Sequence, residues 1–136
     1  MNECVGYENT FHRAIDRCRD PYELFEQIIE LGFGRVITSG QGKNAFEGLE
    51  VIKKLIELNR GRIKLSPASG IDDENLEELI QKLGAKTNEF HCSAKVLQRS
   101  KMETDPDGTF NYHLSSEQIV SKMIQIGEKH FNNQTN

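Results

Sequence analysis

The chain has 136 residues, of which 36% are hydrophobic, and 17 Lys and Arg against 21 Asp and Glu give a formal net charge of −4. This length suits one globular domain, and the acidic balance argues against a nucleic-acid partner, because following a phosphate backbone requires a basic face. No run of apolar residues exceeds two, so we expect a soluble cytoplasmic protein without a membrane partner, with the nucleus as an alternative compartment.

Four segments along the chain have the apolar period of an amphipathic helix. In the first, Asp20 is a capping residue, Pro21 occupies the first helical position and Gly32 ends the helix. The other three follow the same pattern of an apolar stripe bounded by capping or breaking residues. The predicted helices cover residues 20–32, 45–59, 72–84 and 115–130.

Short segments that alternate apolar and polar residues read as strands between these helices. Repeated β/α units of near-constant length predict a parallel sheet with helices on its faces, as in a doubly wound sheet or a barrel. The alternation favours the barrel, because strands of a doubly wound sheet are buried on both faces and are more continuously apolar. The predicted strands are residues 9–12, 35–38, 62–66 and 89–92, and positions 12, 38, 66 and 91, at or near their ends, are 26, 28 and 25 residues apart.

The predicted fold is therefore α/β, built from parallel β/α units of a TIM barrel. A complete barrel needs about 250 residues and eight units, so about four of the eight units are present, which is a half barrel. A half barrel leaves two sheet edges and its inner face open. We therefore expect either a homo-oligomer that completes the barrel or a fragment of a longer protein.

Three segments carry a family resemblance: residues 10–16 (TFHRAID), 31–40 (LGFGRVITSG) and 89–94 (EFHCSA). In sequence, order and spacing they closely resemble the CutC copper homeostasis protein family, over residues 10–94. The resemblance implies a TIM barrel in which these segments are the fifth to eighth strands, and it implies copper handling. The chain departs from the family at residues 67–70 (PASG), where the family has Pro-Gly-Gly-Gly.

The resemblance and the helix pattern together divide the chain into five predicted regions. They are a leader over residues 1–8, the C-terminal half of a CutC-like barrel over residues 9–96, a long polar loop over residues 97–114, a C-terminal helix over residues 115–130 and a frayed tail over residues 131–136.

Two histidines end the first and last predicted strands, at the rim where TIM-barrel chemistry takes place. Strand alternation puts Thr10 on the face of His12, and Glu89 on the face of His91. If these faces point inward, two imidazoles and one carboxylate line a single opening. Imidazole binds copper and also transfers protons near neutral pH, so both histidines are candidate metal ligands and candidate catalytic residues. The alternative is that each histidine hydrogen-bonds a neighbouring loop.

The three cysteines, Cys4, Cys18 and Cys92, form no C-x-x-C pair, which predicts a reducing compartment. A thiolate is a natural ligand for Cu(I), so Cys92 is a candidate metal ligand beside His91. On a regular strand, however, Cys92 points away from the His91 face. The alternative is that Cys92 packs as a small buried side chain against the helices.

Arg13 follows His12, and we interpret it either as the partner of Asp16 in a rim ion pair or as a catalytic-site cation that binds a substrate anion. An inward Lys64 would suit a Schiff-base or anion site, with a solvated side chain as the alternative. Loops after the second and third strands precede helices, whose N-termini bind anions, although ordinary turns explain them equally well. The predicted ligand-binding residues are Thr10, Asp16, Thr38, Ser39, Gly40, Lys64, Gly70 and Glu89.

The leading hypothesis is a CutC-type protein that binds or traffics Cu(I) in the cytosol through His12, His91 and Cys92. A second hypothesis is a TIM-barrel enzyme acting on a small anionic metabolite, with His12 or His91 as acid or base and Arg13 holding the anion. A third is a truncated product without independent activity. The sequence leaves open which of these is correct, and whether the chain is an enzyme.

Overall fold

The computed structural model describes residues 7–84, 87, 89–100 and 110–131. Most of the predicted leader, the middle of the predicted polar loop and the tail beyond residue 131 lie outside these residues. Within this part of the chain, no helix is both long and apolar enough to cross a membrane.

Three short parallel strands form the central sheet, in the order β1 (Thr10–Phe11), β2 (Arg35–Thr38) and β3 (Lys64–Pro67). They confirm the predicted parallel α/β arrangement. The second strand has the predicted bounds, and the third begins two residues later than predicted.

The predicted fourth strand, residues 89–92, is reduced to one parallel bridge between His91 and Ala68. The His91 N–H donates to the Pro67 carbonyl oxygen at 2.9 Å, which is one rung of a parallel ladder. The next rung would use the Leu65 carbonyl, but the Thr87 hydroxyl occupies it at 2.7 Å. The prediction of a full strand is therefore wrong, because a side chain takes the acceptor that the strand would need.

Four α-helices follow the predicted pattern: α1 (Pro21–Glu30), α2 (Leu49–Asn59), α3 (Leu76–Leu83) and α4 (Glu117–Phe131). The Asp20 carboxylate accepts the backbone N–H groups of Tyr22 and Glu23 at 2.9 and 3.1 Å, which confirms the predicted cap.

Two helices begin about four residues later than predicted, because polar side chains hold the preceding residues in turns. Before α2, the Asn44 side chain accepts the N–H groups of Phe46 and Glu47, each at 3.0 Å. Before α3, the Asp72 carboxylate accepts the N–H groups of residues 74 and 75 at 3.0 and 3.1 Å.

A single apolar core lies between the helices and one face of the sheet. Burying a large apolar side chain in it stabilises the fold by about 1.5 to 3 kcal/mol. In α4, Met123 is the buried residue, with 7% of its surface exposed. The sheet contributes Val36 and Leu65 to this core, and the helices contribute Phe25, Ile28, Ile52, Leu55, Leu76 and Leu79.

Two antiparallel strands, β4 (Lys95–Ser100) and β5 (Phe110–Ser115), contain all of the described part of the predicted polar loop. Their register pairs Val96 with Leu114 and Gln98 with Tyr112. Apolar and aromatic residues in cross-strand pairs stabilise such a ribbon, and the polar composition of the segment hid this pattern. The loop prediction is therefore corrected at residues 97–100 and 110–114.

The backbone of the loop after β2 contacts the backbone at the start of α2. Gly40 has a left-handed φ of 64°, which favours glycine. A Cβ atom at Gly48 would overlap the carbonyl oxygen of Ser39, so this approach requires glycine at position 48.

We predict that Gly48→Ala lowers the free energy of unfolding by about 3 kcal/mol, because backbone on both sides leaves no room for a methyl group. Urea denaturation measures the change. The matched control is Gly127→Ala in α4, where the nearest atom to a Cβ lies 4.0 Å away, in Phe131. There alanine should raise the free energy of unfolding by about 0.5 to 1 kcal/mol. Equal effects of the two substitutions would contradict the close approach.

Candidate functional site

A cleft opens at the carboxyl ends of the parallel strands and has a volume of about 460 Å³. His12 follows β1 and His91 sits at the bridge beyond β3, so both imidazoles reach the same opening. Their ring centres are 6.5 Å apart and the ring planes are nearly perpendicular, at 86°. Within the described residues neither imidazole makes a hydrogen bond to protein, so both are available to a ligand. Other lining residues are Arg13, Ser69, Gly70, Asp72, Cys92, Ser93 and Lys95.

The Asp16 carboxylate is enclosed by donors beside this cleft, and its side chain is only 5% exposed. Arg13 Nε lies 2.9 Å from Oδ2, and the Thr38 hydroxyl donates to Oδ1 at 2.6 Å. Ser39 donates both its backbone N–H, at 3.0 Å, and its hydroxyl, at 2.9 Å, to Oδ2. The N–H of Gln41 also donates to Oδ1, at 3.3 Å. This carboxylate joins the short 3-10 helix Arg13–Arg17 to the loop after β2.

Burial raises the pKa of Asp16, but the hydrogen bonds from Thr38, Arg13 and Ser39 outweigh it and hold that pKa below its usual value of 3.8. Asp16 is therefore a buried, charged anchor rather than one half of a weak surface pair.

This network accounts for several of the predicted ligand-binding residues. The loop after β2, with Thr38, Ser39 and Gly40, is a predicted anion site. The Asp16 carboxylate of the protein itself occupies it by accepting the Ser39 N–H. The Gly40 N–H donates instead to the Thr38 hydroxyl, at 2.9 Å. Arg13 donates to Asp16 and also to the Ser39 hydroxyl, at 3.0 Å. The side chains of Arg13, Asp16, Thr38 and Ser39 are thus hydrogen-bonded to one another beside the cleft. Gln41 was missed from the sequence, because its contribution is a backbone N–H that carries no residue-type signal.

A second charged network lies on the inner face of the sheet, two residues before the histidines along the strands. Arg35 pairs with Glu89 and with Glu8, and its Nη1 donates to the Thr10 hydroxyl at 3.3 Å. Lys64 Nζ lies 2.9 Å from Glu8. Three predicted ligand-binding residues therefore contact this network and lie outside the lining of the histidine cleft. Strand alternation predicted the shared face, but not the central role of Arg35.

The Schiff-base interpretation of Lys64 does not fit this setting. A Schiff-base lysine is usually desolvated, whereas the Lys64 side chain is 55% exposed and paired with a carboxylate.

The thiol of Cys92 points away from the cleft, toward α4, as alternation predicts. Its Sγ lies 3.7 Å from Met123 Sδ, and burial of the thiol raises the pKa of Cys92. The residue as a whole is exposed, which departs from the fully buried alternative. The described residues contain no group of three or more His, Cys, Asp or Glu side chains placed to hold a metal ion. Any metal site in this region therefore uses fewer of these residues or adds another residue type.

We predict that Asp16→Asn lowers the free energy of unfolding at pH 7 by about 2 to 3 kcal/mol, because neutral Asn loses charge-assisted hydrogen bonds. The folded-state pKa of Asp16 lies below its usual value of 3.8. The stabilisation by the charged form is therefore complete above that value and is lost as the pH falls through the folded-state pKa. The difference between wild type and variant should shrink over that acidic range in urea denaturation.

The control for this series is Asp20→Asn, because Asn caps a helix as well as Asp does. It should leave the free energy of unfolding within about 0.5 kcal/mol of wild type. A difference between Asp16→Asn and wild type that stays constant from neutral pH into the acidic range would contradict a stabilising charge at Asp16.

The family model and the known proteins that match this chain point to one family. The family model described as "CutC family" matches residues 1–96. A CutC family protein from Histophilus somni is 48% identical over 103 residues, covering 76% of this chain and 42% of that protein. The Homo sapiens protein named copper homeostasis protein cutC homolog is also 48% identical over 103 residues, covering 76% of this chain and 37% of that protein.

A solved structure of a CutC protein from Streptococcus agalactiae superposes with a TM-score of 0.54 at 30% identity. The match covers 60% of this chain and 41% of that one, so the parallel α/β fold is shared over the matched part. The chain spans about two fifths of the length of the relatives it matches. From the family match over residues 1–96 and these identities, the chain belongs to the CutC family.

Proposed function

We propose that this chain binds Cu(I) and serves in copper homeostasis, with the cleft between His12 and His91 as its metal site. The relatives from Homo sapiens and Mus musculus are both named copper homeostasis protein cutC homolog. The observation that carries the proposal is the pair of exposed imidazoles, which face one opening and make no hydrogen bond within the described residues. Imidazole is a good ligand for copper.

The spacing of the two rings supports one ion between them. With a metal–nitrogen distance of about 2.0 to 2.1 Å, a ring centre lies roughly 3.2 Å from the metal, so two opposed rings are about 6.4 Å apart. The ring centres of His12 and His91 match this separation at 6.5 Å, and an ion between them requires that a nitrogen of each ring turn toward it. An ion held by two ligands at the mouth of an open cleft remains accessible to a third ligand, which suits a protein that accepts copper and passes it on.

The Asp16 network and the backbone at the end of β3 hold the two imidazoles in this arrangement. His12 immediately precedes the 3-10 helix that carries Arg13 and Asp16, and this helix is tied to the loop after β2. His91 is held by its backbone bond to Pro67 at the end of β3. The sheet and the Asp16 network therefore fix the backbone that carries the two imidazoles.

A metabolite enzyme remains the second candidate for the same cleft. Two imidazoles that make no hydrogen bond within the described residues can serve as acid and base, and Lys95 and Arg13 add positive charge to the lining. Because Arg13 already donates to Asp16 and Ser39, Lys95 is the freer cation for an anionic substrate.

We predict that His12→Ala and His91→Ala each bind one Cu(I) fewer than wild type with sub-micromolar affinity. The measurement is an anaerobic competition titration against a chromophoric Cu(I) chelator under reducing conditions. His113→Ala is the matched control, because His113 lies in β5 outside the cleft and should leave the number of bound ions unchanged.

Wild-type binding no tighter than about micromolar, near −8 kcal/mol, would refute the copper proposal. If small anionic metabolites then raised the melting temperature of wild type but not of His12→Ala, the enzyme would be favoured instead.

We further propose that the three parallel strands and the His91 bridge, with their helices, form part of a barrel that a second copy of the chain completes. Among the described residues, β1 pairs only with β2, and β3 has only the single bridge on its other side. Sheet edges of this kind present unpaired N–H and C=O groups to a partner. A symmetric dimer would cover them.

Light scattering coupled to size exclusion should give twice the chain mass of 15.5 kDa. A Gln98→Pro variant in the hairpin is the control, since Gln98 lies in β4 away from the central sheet and should leave the mass doubled. A mass of one chain at every protein concentration would contradict the dimer.

A further inference from the structure

We propose that Cys92 and Met123 form a second Cu(I) site, ligated by sulfur, on the far side of the wall that bounds the histidine cleft. The inference rests on the copper-binding function proposed above and names residues outside its imidazole pair. Cys92 Sγ and Met123 Sδ are 3.7 Å apart, although the two residues are 31 positions apart in sequence. Met123 also lies outside the residues 1–96 that the family model matches.

The distance between the two sulfur atoms suits two ligands of one ion. A metal–thiolate bond is about 2.3 Å long, and two such bonds at a tetrahedral angle put their sulfur atoms about 3.8 Å apart. The observed separation of 3.7 Å is close to this value. Binding one ion through both sulfur atoms therefore does not require them to move apart.

The chemistry of the pair selects a soft monovalent ion. Thiolate and thioether are the protein ligands that favour Cu(I), whereas Mg²⁺ and Ca²⁺ prefer oxygen ligands. Binding forms a bond from Cys92 Sγ to Cu(I), breaks the S–H bond and releases the proton to solvent. The Met123 thioether donates a lone pair without losing a proton. Copper remains Cu(I) throughout, so the step needs no oxidant or reductant.

The surroundings combine an apolar wall with access from solvent. A groove of about 580 Å³ is lined by Cys92 and Met123 together with apolar side chains of α3 and α4, among them Leu76, Ile80 and Ile124. Such a lining disfavours ions of higher charge, because burying a divalent charge without enough compensating ligands costs more. Met123 is 7% exposed, while Cys92 is exposed at the rim, so an incoming ion meets the cysteine first.

Cys92 borders both openings, since it lines the histidine cleft as well as the apolar groove. Cys92 thus lies between the imidazole pair and the groove, with its thiol on the groove side.

The test is an anaerobic Cu(I) competition titration of four proteins, read together with the ultraviolet thiolate-to-copper charge-transfer band. The proteins are wild type, the double variant His12→Ala/His91→Ala, Cys92→Ser and Met123→Leu. Leucine keeps the volume of methionine and removes only the sulfur, so packing is retained. Cys18→Ser is the cysteine control, because the Cys18 thiol donates to the Ile15 carbonyl at 3.0 Å, away from Met123. Circular dichroism verifies that each variant is folded.

The proposal requires that the double histidine variant keeps one Cu(I) and the charge-transfer band. Cys92→Ser should lose one ion together with the band, and Met123→Leu should bind that ion at least tenfold more weakly. Cys18→Ser should match wild type.

Unchanged binding in both Cys92→Ser and Met123→Leu, with loss in the histidine variant, would refute the sulfur site while leaving the proposed function intact. The reverse pattern would refute the imidazole site alone. No sub-micromolar Cu(I) binding by wild type would refute both. If Met123→Leu bound like wild type while Cys92→Ser lost an ion, the sulfur contact would be packing and the paired site would be overturned.

Discussion

The buried carboxylate of Asp16 is the interaction on which the geometry of the cleft depends. It satisfies backbone N–H groups of the loop after β2 that no regular element would satisfy, and Arg13 balances its charge. A charge this enclosed is tolerable only because every donor around it points inward. The same contact fixes the 3-10 helix that follows His12. Positions on two neighbouring strands are thereby locked together at the rim where the imidazoles open to solvent.

Polar groups on the inner face of the sheet are arranged in two layers with different roles. The layer nearer the start of the strands is a set of mutually paired charges centred on Arg35, Glu8 and Lys64. The layer nearer the end holds His12 and His91, whose rings contact each other and make no hydrogen bond within the described residues. The paired charges stabilise this face and are less available to a ligand. The imidazoles make no hydrogen bond within the described residues and so keep a nitrogen lone pair for a ligand. The chemistry of this face is therefore concentrated at its carboxyl end.

Much of the fold followed from local pattern. The cap at Asp20 and the strand at residues 35–38 appear as predicted, because capping groups and strand alternation act over a few residues. Where the pattern failed, a side chain competed with the backbone: Thr87 took the acceptor of the fourth strand. The hairpin of β4 and β5 was missed for a different reason, since its stability comes from cross-strand pairs that composition alone does not reveal.

The sequence by itself determined the family, the parallel β/α plan and the shared face of His12 and His91, because each depends on residue types at fixed short spacings. Only the tertiary structure decided which groups satisfy one another. The Asp16 carboxylate occupies the predicted anion site at Ser39, which is 23 positions away in sequence. Met123 contacts Cys92, which is 31 positions away. Contacts of that range depend on how α4 and the loops pack against the sheet, and packing is a property of the whole set of apolar faces rather than of any one segment.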